Sequence, residues 1–166
     1  MYIRLSKKSD LAQIKNLISL GFGSRDHCEV FENLDGRYLL ALDEYNNVIA
    51  MTGLIWSDTY QGYEIDWTTT HPAFRNRGIM HQLFERICNL TDDDIYCSCW
   101  KVPGQEYINL KSLMDAFEFK EVISPRVIWD TRYNCYNAAK DCRYKQAGSY
   151  CRCQEDLYIR ERVNTK

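Results

Sequence analysis

Two groups of residues in this chain have the types and spacing to do chemistry. The first is Arg75-Asn76-Arg77-Gly78-Ile79-Met80. A glycine lets an anion come close to the backbone, and flanking guanidinium groups suit a phosphate. After Gly78, residues Ile79, Leu83, Phe84, Ile87 and Leu90 recur at helical spacing. The loop therefore opens a helix, whose first turn offers unpaired N–H groups and the positive end of a dipole. An Arg-x-x-Gly stretch can also be a plain surface turn; lying between a strand and an amphipathic helix favours the anion site. The second group is Glu64 and Asp66. In a strand these two carboxylates share a face, and each raises the proton affinity of the other, as a general base requires. A strand acid can equally be solvated or salt-bridged, and Asp66 can equally hold a cationic substrate.

The elements that must position these groups follow from patterning. Tyr63 to Thr70 alternates and is rich in β-branched and aromatic residues, a strand that His71-Pro72 breaks. Ahead of it, Tyr2-Ile3-Arg4-Leu5 reads as a strand. Ser9 caps a helix carrying Leu11, Ile14, Leu17 and Ile18, and Gly21-Phe22-Gly23 ends that helix. Residues 24–36 are ambiguous, with a short second helix around Val30 and Phe31, a turn at Asn33 to Gly36, and His27 unplaced. Arg37 to Leu42 and Val48 to Trp56 form a hairpin about Asn46-Asn47. Beyond the motif helix come a polar turn at Thr91 to Asp94 and a strand at Ile95 to Trp100. Since that strand follows a crossover helix, it is expected parallel to and beside the 63–70 strand, their ends splaying to leave a slot for an extended ligand. A helix over Asn109 to Phe117 with Leu110, Leu113, Met114 and Phe117 inward follows. Strands are then expected at Phe119 to Ile123, Val127 to Trp129 and Leu157 to Ile159.

Composition narrows the class. The 166 residues suit one domain, and 45% hydrophobic with 27% charged content is ordinary for a globular protein. A net charge of -2 gives no general attraction to nucleic acid or anionic membrane, so neither partner is expected. No apolar run reaches bilayer length, and no apolar segment follows the basic N-terminal residues as a signal peptide requires; a cytoplasmic location is expected. In a reducing compartment the eight cysteines are free thiols or metal ligands rather than disulfides.

Glu64-Ile65, then His71-Pro72-Ala73-Phe74-Arg75-Asn76-Arg77-Gly78-Ile79-Met80 and Leu83 resemble the coenzyme A motif of the GNAT family of N-acetyltransferases. That pattern is an acidic strand residue, a proline after the strand, and Arg/Gln-x-x-Gly-x-Gly/Ala opening a helix; here Met80 holds the last position. The order of elements resembles the family over residues 1–130 and 155–162. The resemblance implies a single domain over residues 1–166. Its fold would be α/β (α+β), a mixed, mostly antiparallel central sheet flanked by helices, with a splayed parallel strand pair holding the cofactor. It further implies that Arg75, Asn76, Arg77, Gly78, Ile79 and Met80 hold the pyrophosphate of acetyl-CoA. Backbone groups of Thr68 and Thr70 would pair with the pantetheine arm, and Glu64 stands where many members carry a general base. The second half of the site departs from the family. Its usual Gly-Phe reads Glu118-Phe119, the helix tyrosine that serves as acid is replaced by Met114, and the place of a cofactor-facing asparagine is Tyr107, with Asn109 two residues on. Tyr107 and Tyr96 remain candidate acids.

Trp56, Tyr60, Trp67 and Trp100 either line an acceptor pocket, where aromatic faces suit a cation, or pack in the core. His71 and His81 are expected at the surface beside the loop. Cys97 and Cys99 share a strand face as small core residues. From about 130 to 156 the chain is polar and carries Cys135, Cys142, Cys151 and Cys153, four thiols that could bind structural zinc although their spacing lacks a Cys-x-x-Cys knuckle; free thiols or a disulfide are the alternative. The function expected is transfer of an acetyl group from acetyl-CoA to a primary amine of a small molecule or protein, with a homodimer left open. The rival is a noncatalytic acyl-CoA-binding sensor or partner-binding module.

Overall fold

Alternating apolar patterns become paired strands throughout a computed structural model that describes residues 1–22, 34–101, 104, 110–122 and 153–162. The expected elements at 24–32 and 127–129, and His27, lie outside these residues. The chain divides into two compact units, residues 1–95 with 162–166, and residues 96–161.

In the first unit, β1 (Tyr2–Leu5), β2 (Tyr38–Leu42), β3 (Val48–Ser57) and β4 (Gly62–Thr70) form an antiparallel meander in that order. All five residues of β2 are buried, so both faces of the sheet are covered. Tyr38, Leu40, Leu42 and Met51 pack on helix α1 (Leu11–Phe22) through Ile14, Leu17 and Ile18, the expected stripe. Helix α2 (Ile79–Cys88) packs against β2 and β3 and buries Ile79, Leu83, Phe84, Ile87 and Cys88. Leu90 is a correction: it is 62% exposed. The helix ends at Cys88, and the bonds from Asn89 N–H to Arg86 O and Leu90 N–H to Ile87 O tighten the exit and turn Leu90 off the buried face.

Glycine and asparagine appear where the turns require them. Asn46 adopts φ 65 at the β2–β3 hairpin, and the Asp43 carboxylate accepts the N–H groups of Tyr45 and Asn47. A Cβ on Gly21 would stand 2.3 Å from Oγ1 of Thr69, so this glycine sets how closely α1 lies on β4. Ser9 does not serve as the cap expected of it. A 3-10 turn at Lys8–Asp10 leads into α1, and the acceptor is Asp10, which takes the Lys7 N–H at 2.8 Å. Both Asp10 oxygens also receive the Arg4 guanidinium, at 2.7 and 2.8 Å, tying β1 to the start of the helix.

In the second unit, β7 (Gln154–Arg160) lies between β5 (Ile95–Lys101) and β6 (Lys120–Val122). It pairs antiparallel with β6, Lys120 opposite Ile159 and Val122 opposite Leu157. Lys101 and Asp156 form an ion pair at 3.0 Å. Helix α3 (Lys111–Ala116) buries Met114 and closes with Phe119 N–H on Met114 O, while Glu118 adopts φ 62. A left-handed residue after a helix is normally glycine, and Glu118 stands there with a side chain. Cys97 and Cys99 are buried with their sulfurs 3.6 Å apart, and the hydrogen bond with Cys97, together with burial, pushes the Cys99 thiol up. They are core residues, as expected.

Two measurements test these elements. The Arg4 guanidinium, by hydrogen bonding, holds the Asp10 carboxyl below its ordinary value. A depressed folded value means stabilisation complete above the unfolded value of about 3.9 and lost as pH falls through the folded one. Asp10→Asn should lower stability by about 1–3 kcal/mol at pH 7. In urea titrations its gap to wild type should narrow on acidification; a gap constant from pH 7 to pH 2 would contradict the pair. Glu118→Gly should raise the urea midpoint, by about 0.5–1 kcal/mol in stability, because it relieves the left-handed backbone; an unchanged or lower midpoint would count against that strain.

Candidate active site

The candidate anion loop is built by β4, a 3-10 turn at Pro72–Phe74, and α2. His71 caps the turn: its Nδ1 accepts the Ala73 N–H at 3.2 Å and its own N–H donates to Ile49 O at 2.8 Å. Asn76 and Gly78 are both left-handed, φ 60 and 70. Asparagine tolerates that conformation and glycine favours it. Gly78 is the N-cap of α2, and a Cβ built on it meets nothing within 4 Å. The backbone there is open to an approaching group, and α-helical geometry leaves the first-turn N–H groups beside it without intrahelical partners. These features fit a phosphate or pyrophosphate.

The two arginines brace the loop as well as charging it. Arg75 Nε donates to Thr70 O at 3.2 Å, and Arg77 Nη2 donates to Ala73 O at 3.0 Å while its guanidinium lies 5.1 Å over the Phe74 ring. Both side chains remain exposed, with donors to spare. Met80 is half-buried in the first turn of α2.

Upstream, β4 is not a regular strand. Ala50 and Met51 of β3 face Thr70 and Thr69, whereas Gly53 faces Asp66, so Trp67 and Thr68 together oppose Thr52. This β-bulge contains Trp67 at φ 42. For a bulky L-residue such a conformation costs about 1–2 kcal/mol and is kept only where the surroundings enforce it. A bulge also sets two residues of one strand against one of its neighbour and disrupts the ladder locally. The sequence gives no sign of it, since 63–70 reads as unbroken alternation and holds tryptophan where a bulge glycine would be informative.

Glu64 lies opposite Ile55, half-buried. Asp66 shares its face of β4, as expected, and the two have different surroundings. Oδ2 of Asp66 accepts Tyr38 Oη at 2.8 Å and Arg37 Nη2 at 3.0 Å. Burial, and then the Asp66 charge, push the Tyr38 hydroxyl well above its ordinary value, so it remains a donor. Arg37 and Tyr38, which sequence patterning assigned only to a strand, thus converge on this carboxylate. Trp67 packs against the α1 core cluster. Trp56 belongs neither to the core nor to an enclosed pocket: it is 51% exposed, edge-on to Tyr63, and donates to Asp58.

Thr68 Oγ1 is 2.9 Å from Thr52 Oγ1. Tyr107 and Asn109 lie outside the described residues, as do Cys135, Cys142 and Cys151. Cys153 is buried at the start of β7, and no group of three or more metal-ligating side chains occurs among the described residues. No described helix is long and apolar enough to cross a membrane.

The sequence model of the acetyltransferase (GNAT) family matches residues 11–101. No curated protein matches the chain. Among solved structures, an acetyltransferase of the GNAT family from Bacillus cereus ATCC 10987 is similar with a TM-score of 0.67 and 14% identity, covering 98% of each chain. An aminoglycoside 6'-N-acetyltransferase complexed with coenzyme A has a TM-score of 0.69 and 12% identity, covering 100% of this chain and 99% of the other. Rv2747 from Mycobacterium tuberculosis, in complex with CoA and NLQ, has a TM-score of 0.61 and 15% identity, covering 98% and 99%. At these identities the likeness shows the fold, the expected mixed and mostly antiparallel α/β architecture.

The loop predicts its own ligand chemistry. Inorganic pyrophosphate should bind the wild-type protein and lose at least about tenfold in affinity in Arg75→Ala/Gly78→Glu, which removes a cation and places a like charge on the site. Calorimetry giving equal affinities for both proteins would reject the loop as an anion site.

Proposed function

We propose, from the premise that this chain belongs to the acetyltransferase (GNAT) family, that it transfers an acetyl group from acetyl-CoA to a primary amine. The observation that carries the reading is one strand, β4, that presents Glu64 and a bulge at Trp67 and then leads into a left-handed glycine loop. Acetyl-CoA, when bound, supplies an acyl group activated as a thioester. The chain's own residues do the rest. Backbone N–H groups from Asn76 to Met80, with the Arg75 and Arg77 guanidinium groups, hold the pyrophosphate. Backbone groups of Thr68 and Thr70 orient the pantetheine arm. Glu64 accepts the proton that an ammonium must lose before it can attack. Backbone N–H groups at the bulge are suited to negative charge developing on an acyl oxygen. Tyr107 is the candidate to protonate the departing thiolate, with Asn109 as a further cofactor contact.

The acceptor is the open half of the reading. The noncatalytic acyl-CoA binder is favoured by one observation: Met114, in the place of the family's acidic tyrosine, is fully buried and has no proton to donate. Thiol release from acetyl-CoA across a panel of metabolite, aminoglycoside, polyamine and peptide amines separates the two, with mass spectrometry of any product. Release with one class supports the enzyme; none with any class supports the binder. With an accepted amine, Glu64→Gln should lower kcat by about two to four orders of magnitude and leave acetyl-CoA affinity unchanged. A loss below tenfold at every pH would reject Glu64 as the base.

A further inference from the structure

A tryptophan held left-handed in the middle of a paired strand has to be kept there by its neighbours, and four contacts do so. Before it, Asp66 is anchored through one oxygen to Tyr38 Oη and Arg37 Nη2 of β2. Opposite Asp66, Gly53 carries no side chain, and a Cβ there would stand 2.6 Å from the Tyr38 ring and 3.3 Å from the Asp66 carbonyl oxygen. Only glycine lets the Tyr38 ring lie across β3 and reach Asp66 on β4. After it, the Thr68 hydroxyl is bonded to that of Thr52. The indole of Trp67 itself packs on the α1 cluster. Tyr38 is fully buried, and the Asp66 and Arg37 side chains are 16% and 24% exposed, so this anchor is part of the interior rather than a surface ion pair.

We propose that Asp66 is a positioning residue rather than a second base: Tyr38 and Arg37 grip it to fix the left-handed turn at Trp67, and so fix where the backbone N–H groups of Trp67 and Thr68 lie relative to Glu64. Its effect on activity rests on the acetyltransferase reading above; its effect on the bulge does not. An acid that already accepts a guanidinium and a phenol on the same oxygen is engaged in structure. The grip spans β2 to β4 over the intervening strand.

The test uses the full chain and two readouts. Asp66→Asn and Tyr38→Phe remove the charge and one donor with little change in volume; Tyr38→Phe is the milder variant should the first fold poorly. The backbone amide resonances of Trp67, Thr68 and Thr69 should move, and their hydrogen exchange should quicken, while those of Asn46 and Asn47 at the far hairpin stay in place. With an accepted amine, kcat should fall about tenfold to a hundredfold in Asp66→Asn, with both KM values within about twofold. In a Trp67→Asn background, where the left-handed turn is tolerated without help, Asp66→Asn should cost less than about threefold. Unmoved amides at 67–69 in both variants overturn the proposal. So does a rise in the amine KM at constant kcat, which would make Asp66 a substrate contact, or an undiminished cost in the Trp67→Asn background. A wild type that acetylates nothing rejects the acetyltransferase reading instead, and the amide measurements still decide the grip.

Discussion

The geometry of this site depends on one backbone torsion, the left-handed turn at Trp67 within an otherwise extended strand. Regular pairing of β4 with β3 would leave no β4 donor free on the edge that faces β3, because each ladder bond there consumes one. The bulge breaks that symmetry for a single step and restores it at Thr69. Glu64 precedes the break and the anion loop follows it, so a change in the bulge alters the angle between the two. Fixing the torsion from outside, through Asp66 and its β2 partners, keeps that relation independent of whatever ligand is present.

The second organising feature is local and simple. A strand ends at Thr70, His71 and Pro72 turn the chain, and two left-handed residues bring it into α2. The proline break, the basic glycine loop and the apolar spacing that follows were legible from residue types, whereas the left-handed Asn76 was not. The meander was legible too, because alternation and the Asn46 turn each specify it. Leu90 was misplaced because periodicity carries no stop signal at Cys88, and the helix end is set by backbone bonds rather than by side-chain pattern. Ser9 was a plausible cap by type, but Asp10 has a longer reach and an arginine beside it.

The least legible part was long-range pairing. Nothing in Arg37-Tyr38 announces that both side chains converge on a carboxylate two strands away, since the contact depends on Gly53 being bare. A glycine inside a strand is the one available clue, and close approach of another group is among its physical meanings. Glu118 is the opposite case. The position demands glycine's conformation, the residue is not glycine, and the helix closes there all the same. A motif read by letters would discard this element, whereas the hydrogen bond from Phe119 to Met114 keeps it.

The loop arginines are shared between two tasks, and this has a kinetic meaning. Each guanidinium spends one N–H on a carbonyl of its own loop and keeps others facing solvent. Chain and side-chain disorder are therefore lost when the protein folds, and little remains to be lost when an anion arrives. A planar fork can serve both directions at once, while the ammonium of a lysine, a point charge on a flexible stem, would have to abandon one. An anion binding as proposed would dock onto a finished surface, with speed set by diffusion and charge rather than by waiting for the loop to assemble.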